Sequence, residues 1–296
     1  MAMRRWLAGA LAGFITVASA GAQELGLPQP GDACVKDTGC AVASGSYRIV
    51  LPPQASRERP VGAIMYFHGY QGSAEETVTD PGLLAVARRL GVALIAPDGA
   101  EHSWSYPGSP AQHRDEYAFV GQVLDDVAAR FSIDPRRILA SGFSQGGSMV
   151  WYLACRMPAR FAAFAPIAGA FWEPLPERCD GPRPPLIHVH GTSDMTVPLA
   201  GRALRSGARQ GDVFRSLAII APGGCTAAWA ETARTASESE RLTCRVASGC
   251  SGEARLELCL HAGGHRADPA WVERAWWLAM PASEPLSAAR RPLTSP

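Results

Sequence analysis

The run Ile138-Leu139-Ala140-Ser141-Gly142-Phe143-Ser144-Gln145-Gly146, continued by Met149-Val150-Trp151-Tyr152-Leu153-Ala154, decides the fold. A short apolar strand candidate stops at a G-x-S-x-G pentad, and an apolar segment able to form a buried helix follows. Strand, sharp turn and helix in that order hold a serine on a strained turn with its hydroxyl exposed at the end of a sheet. Glycines at 142 and 146 let the backbone pass close on either side. The helix N-terminus beyond Ser144 places partial positive charge where an oxyanion would develop. The pentad alone is a weak signal, because Gly and Ser are common; its flanking elements give it weight.

A serine hydroxyl is a poor nucleophile at neutral pH, so it requires a base, and the base requires a third group to fix its tautomer. Both occur downstream. Asp194 lies in His190-Gly191-Thr192-Ser193-Asp194, past the apolar strand candidate from Leu186 to His190. His265 lies in His261-Ala262-Gly263-Gly264-His265, past a strand candidate from Ala254 to Leu260. Taken singly, an Asp in a turn is usually a local cap and a lone His usually structural. Three groups in the order Ser, Asp, His, each after its own strand, point instead to nucleophile, orienting acid and general base. The backbone N–H of Gln145 is the expected first oxyanion donor. The second is that of Tyr70, in the loop His68-Gly69-Tyr70-Gln71-Gly72.

Working outward, Val61 to Phe67 is apolar without interruption, as a strand buried on both faces requires. A helix candidate from Pro81 to Leu90, a strand from Val92 to Ala96 and a Gly/Pro/Ser-rich loop to Gln112 follow. Tyr117, Val120, Leu124, Val127 and Phe131 then recur at helical spacing. Further strands are expected at Arg137–Ser141 and Ala162–Ile167, and a Trp-rich helix at Pro269–Ala279. Ser46–Leu51 reads as an early strand. This alternation predicts an α/β-hydrolase fold, a mostly parallel, doubly wound sheet flanked by helices, over residues 46–280.

The ends read differently. Arg4-Arg5, the apolar run from Trp6 to Ala18 and the small residues to Ala22 resemble a secretory signal peptide over residues 1–22, too short to span a membrane comfortably. Residues 23–45 read as an N-terminal arm and the Pro-rich residues 281–296 as a flexible tail. A secreted or periplasmic location suits the eight cysteines, an even count. Proximity in sequence favours Cys34 with Cys40, Cys155 with Cys179, Cys225 with Cys244 and Cys250 with Cys259. No C-x-x-C pair occurs, and neither a metal nor an organic cofactor is expected. A net charge of +1, with Lys36 the sole lysine, advertises no nucleic-acid partner. No stretch after the leader has membrane length, so no span is expected in the mature protein. The sequence leaves the oligomeric state open.

Trp104 and Trp172, in loops after core strands, are candidates to line a substrate pocket, while Trp151, Trp271, Trp276 and Trp277 lie in helical patterns that favour packing. Arg114-Asp115-Glu116, before the long helix, suits capping and ion pairing.

These residues resemble the secreted polyhydroxybutyrate depolymerase-like esterases, which overlap with feruloyl and acetylxylan esterases of the same fold. The likeness spans most of Val61 to Ala279. It rests on His68-Gly69, Ala96-Pro97-Asp98-Gly99 with Ser103-Trp104, Gly142-Phe143-Ser144-Gln145-Gly146-Gly147, His190-Gly191-Thr192-Ser193-Asp194 with Val197-Pro198, Gly224-Cys225 and Gly263-Gly264-His265. It implies hydrolysis of carboxylic esters, a polyester or a plant cell-wall ester among them, through an acyl-enzyme. The chain departs from the group at Tyr70, where many relatives carry Cys, and at Arg266-Ala267-Asp268-Pro269, where they carry Trp-Pro-Gly. An exported serine peptidase or thioesterase would use the same triad, and a non-catalytic binding protein could retain the scaffold.

Overall fold

In the computed structural model, residues 34, 39–56, 58–181, 185–221, 226–232, 242–248 and 255–280 are described. The strands are β1 (Cys40–Val42), β2 (Gly45–Val50), β3 (Val61–Phe67), β4 (Ala93–Pro97), β5 (Ile133–Phe143), β6 (Ala163–Ile167), β7 (Trp172–Glu173), β8 (Leu186–Gly191), β9 (Arg202–Ala203), β10 (Arg209–Gln210), β11 (Thr226–Thr232), β12 (Thr243–Ser248) and β13 (Leu256–His261). The α-helices are α1 (Ala74–Thr79), α2 (Pro81–Leu90), α3 (Glu116–Arg130), α4 (Gln145–Arg156), α5 (Val213–Ile220) and α6 (Pro269–Ala279).

Ten strands form one sheet in the order β1-β2-β4-β3-β5-β6-β8-β13-β12-β11. The six strands from β4 to β13 in that order run parallel, and β1, β2, β12 and β11 extend the two edges antiparallel. This is the α/β-hydrolase arrangement. The continuous apolar strands are explained by two cores. On β3, Ala63, Met65 and Phe67 face the core that holds α3 and α4, while Ile64 and Tyr66 face the one that holds α2 and α6. A strand covered on both faces has no polar side, so its sequence loses the period-two alternation.

Local signals set the boundaries. Asp80 caps α2 by accepting from the Leu83 N–H at 2.7 Å, Pro81 occupies the first turn, and Gly91 ends the helix at φ 65°. Asp268 and Pro269 begin α6 in the same way. Asp115 caps α3 by accepting from the Tyr117 and Ala118 amides, in line with the capping expectation. Strand β5 starts earlier than its apolar core suggests, at Ile133. A register shift between the pairs Val61–Ile133 and Ala63–Ile138 accommodates Pro135.

Several elements were not expected. They are β1, within the stretch read as an arm, α1, α5, the three-stranded sheet β7-β10-β9 and the antiparallel hairpin β11–β12. The hairpin corrects the cysteine pairing. Cys155–Cys179 and Cys34–Cys40 form as sequence proximity suggests, but Cys244 bonds Cys259, not Cys225. The two residues face each other in the β12–β13 register with Cα atoms 4.0 Å apart, so strand pairing places them together. Cys259 is therefore not bonded to Cys250; Cys225 and Cys250 lie outside the described residues, as do the residues 1–22 read as a leader and the residues 281–296 read as a tail.

Candidate active site

The turn after β5 is built by glycines that cannot be replaced without collision. A Cβ on Gly146 would stand 2.0 Å from the Phe67 carbonyl oxygen and 2.4 Å from that of His68; one on Gly142 would stand 2.7 Å from the Gly146 carbonyl oxygen. These contacts draw the start of α4 against the end of β3. Between the glycines Ser144 takes φ 58° and ψ −119°, a conformation unusual for a side-chain-bearing residue. Gly147 and Gly169 continue the close packing, with a Cβ at either position 2.4 Å from backbone atoms of Ile167 or Ser148.

The loops after β8 and β13 bring the other two groups. They are joined by hydrogen bonds from the Thr192 amide to the His261 carbonyl at 2.9 Å and from the Ser193 amide to the Gly263 carbonyl at 3.1 Å. Gly191 allows this approach, since a Cβ there would meet the Gly263 and Gly264 carbonyls at 2.4 and 2.5 Å. His265 Nδ1 donates to Asp194 Oδ2 at 2.7 Å, and Ser144 Oγ lies 2.9 Å from His265 Nε2. Asp194 is an obligate acceptor, which puts the proton on Nδ1 and leaves Nε2 free to accept the serine proton. The other Asp194 oxygen accepts from the Thr196 and Val197 amides, both at 2.8 Å, fixing the buried carboxylate. The Phe143 ring packs on His265 with centroids 4.6 Å apart. This brace was missed in the sequence, where position 143 reads only as the variable residue of the pentad.

Gln145 follows Ser144 directly, and Gly69, next to Tyr70, comes close to it, since a Cβ on Gly69 would stand 3.6 Å from the Ser144 Cβ. The Gln145 amide opens α4, where first-turn N–H groups have no acceptor within the helix. Its buried side chain is paired with the Ser103 hydroxyl at 2.8 Å. The turn containing Tyr70 is closed by the Gly72 amide bonding the Gly69 carbonyl and clasped by the Gln71 amide bonding the His102 carbonyl at 2.8 Å. His68 anchors it from below: Nδ1 donates to the Gly69 carbonyl at 2.8 Å and Nε2 accepts from the Gly99 amide at 2.9 Å. Burial pushes the His68 pKa below the ordinary imidazole value, which keeps this donor–acceptor pattern in place.

The two candidate substrate-lining tryptophans belong to this scaffold. Trp104 has 0% exposure; its indole N–H donates to the His68 carbonyl at 2.8 Å and its ring packs on Phe67 and His68. Trp172 is 6% exposed, packs on Tyr106 and points its N–H at Ser148 Oγ. Both rings are buried where the chain folds back over the core. The exposed apolar groups beside the site are Tyr70, 65% exposed, and Met195, 78% exposed. Arg114 and Glu116 form the expected ion pair, at 2.8 Å, and Arg114 also donates to the Ser44 and Asp98 carbonyls, tying β2 to the loop beneath His68. Burial raises the Glu116 pKa, with Arg114 opposing it.

Residues 45–173, which include β3, the Tyr70 turn and the whole Ser144 elbow, match the family model described as esterase PHB depolymerase. Over these residues the chain is similar to that esterase family. Among similar proteins, a putative esterase NocK of Nocardia uniformis subsp. tsuyamanensis is 34% identical over 164 residues, 53% of this chain and 47% of that one. Feruloyl esterase B of Piromyces equi is 24% identical over 229 residues, covering 73% of this chain and 42% of its own. A probable feruloyl esterase C of Aspergillus niger is 25% identical over 234 residues, 77% and 78% of the two chains. The chain thus spans less than half the length of the first two. An acetyl xylan esterase from Aspergillus awamori shares the fold of this chain, with a TM-score of 0.55 at 13% identity over 79% of this chain and 94% of that one.

Among the described residues no helix is long and apolar enough to cross a membrane. The one cluster of metal-type side chains there, Cys244, Glu257 and Cys259, has its two sulfurs tied in a disulfide, and Glu257 is paired with Arg255 and Arg274. A bridged sulfur is no thiolate ligand.

Proposed function

We propose that this chain is an exported serine carboxylic ester hydrolase working through an acyl-enzyme. The continuous hydrogen-bonded line from Ser144 through His265 to Asp194 carries this reading. Ser144 Oγ attacks the ester carbonyl carbon while its proton passes to His265 Nε2, and Asp194 stabilises the imidazolium. The Gln145 and Tyr70 amides bind the oxyanion. Collapse expels the alcohol, which takes the proton from His265. Water then repeats the sequence with roles reversed, freeing the acid and the serine.

The names of the relatives support a feruloyl or hydroxybutyrate ester as substrate, and Tyr70 and Met195, adjacent in sequence to Gly69 and Asp194, are exposed. Disulfides support export, since they persist in oxidising compartments. The test compares short p-nitrophenyl esters, methyl ferulate, acetylated xylan and polyhydroxybutyrate, with a peptide and a thioester beside them. The expected outcome is ester turnover abolished by fluorophosphonate labelling of Ser144. Labelling elsewhere, or turnover of only the peptide or thioester, overturns the reading.

A further inference from the structure

Strand β8, which delivers Asp194, carries two histidines that the proposed reaction does not use. His188 and His190 lie two residues apart, project from the same face and have no exposed surface. Three contacts run through them in a line. His188 Nδ1 stands 2.9 Å from the Pro166 carbonyl oxygen, His188 Nε2 stands 2.9 Å from His190 Nδ1, and His190 Nε2 stands 2.7 Å from the Val197 carbonyl oxygen. A carbonyl oxygen only accepts, so both outer nitrogens must donate. The inner contact requires a proton of its own. Three contacts need three protons, and two neutral imidazoles hold two.

We propose that His188 and His190 are a proton-sharing pair, an imidazole joined to an imidazolium, whose buried positive charge positions and balances Asp194. His190 Nε2 lies 3.6 Å from Asp194 Oδ2, so carboxylate and pair form an ion pair inside the protein. The other titratable groups bearing on the pair are His265, beyond Asp194, and His261, at the end of β13. From α4 the Trp151 ring meets His188 with centroids 5.1 Å apart. Burial lowers the pKa of both rings, His188 well below the ordinary imidazole value with His190 adding to the effect; the Pro166 carbonyl opposes this at His188, and the Val197 carbonyl and the Asp194 charge oppose it at His190. A neutral pair would leave two lone pairs facing one another at 2.9 Å in a dry core, or strip a buried carbonyl of its donor.

The pair also fixes geometry. The Val197 carbonyl accepts from His190 while the Val197 amide donates to Asp194, so one peptide segment is held from both sides. The consequence for catalysis rests on the esterase reading above: charge behind Asp194 reduces the field the carboxylate exerts on His265. Removing it should move the acid limb of the rate profile to higher pH.

The direct test is nitrogen-15 NMR of the histidine rings in the folded, unmodified protein at neutral pH, assigned with His188→Gln and His190→Asn. The expected result is three protonated nitrogens among the four of the pair. Two protonated nitrogens, whether from neutral rings or a rotated one, overturn the proposal without touching the esterase reading. As a second measurement, His188→Gln keeps a donor for His190 Nδ1 but carries no charge. It should retain plateau kcat within a few-fold and shift the acid limb upward by about one pH unit, as expected for loss of a nearby unit charge. A folded His188→Gln protein with an unshifted limb also overturns the proposal.

Discussion

The two sides of the site are made of different materials. The Ser144 side is backbone against backbone, where Gly142, Gly146, Gly147 and Gly169 let β3, β5, β6 and α4 meet at distances that exclude a Cβ. The Asp194 and His265 side is a set of loops held by amide donors and by four titratable residues, His188, His190, Asp194 and His265. The first should fail when volume is added and ignore pH. The second should tolerate volume better and fail when a proton or a charge is changed.

The largest effect expected is from Ser144→Ala, which removes the proposed nucleophile from a turn that remains packed. The rate with p-nitrophenyl acetate should fall by about 10⁴-fold or more with Tm unchanged, checked by calorimetry alongside kinetics. Asp194→Asn tests the opposite side by a change of one functional group. It should lower kcat by up to about 10⁴-fold, since the amide can present a donor where His265 Nδ1–H needs an acceptor, while the protein stays folded. Near wild-type rates in this variant would mean that another group orients His265. Gly146→Ala separates the sides most clearly, because one methyl group must displace the Phe67 carbonyl. Loss of roughly 1–3 kcal/mol or more in urea unfolding, together with lost activity, is expected.

Away from both sides, removing the Cys244–Cys259 disulfide by a double Ser substitution opens a closed loop with a sequence separation of 15. It should cost about 3 kcal/mol by the loop-entropy relation. The turnover number of the remaining folded protein should not change. The smallest effect is a pH trend. His68 and His261 have pKa values lowered by burial, so the unfolded chain binds protons more readily than the folded one below the ordinary imidazole value. Their contribution to stability is complete above about pH 6.5 and is lost progressively as the pH falls below it. Tm measured from mildly alkaline to mildly acidic buffer should decline in that direction, and His68→Asn, which cannot take up a proton, should flatten the decline.

The comparison also separates what is legible in one dimension from what is not. The bounds of β3, α2 and α6 coincide with their sequence patterns, because apolar periodicity, Asp–Pro starts and a Gly stop act within a few residues. Ser144, Asp194 and His265 could be picked out as candidates because each follows its own apolar strand, and a parallel sheet gathers strand ends along one edge, where the three side chains come within hydrogen-bond distance. The hairpin β11–β12 escaped notice because an edge strand is specified by a neighbour that it meets only after folding. The Cys244–Cys259 pairing depends on that register, so proximity along the chain misassigned it. Trp104 and Trp172 sit in loops by sequence, yet tertiary contacts bury them; loop position fixes chain path and not the direction in which a ring is packed. The sequence alone thus determined the layered fold and the order of the candidate groups, through short-range patterns. Only the tertiary structure decided the third-proton geometry of His188 and His190, since a hydrogen-bond line from Pro166 to Val197 exists only when two strands and a loop have closed on one another.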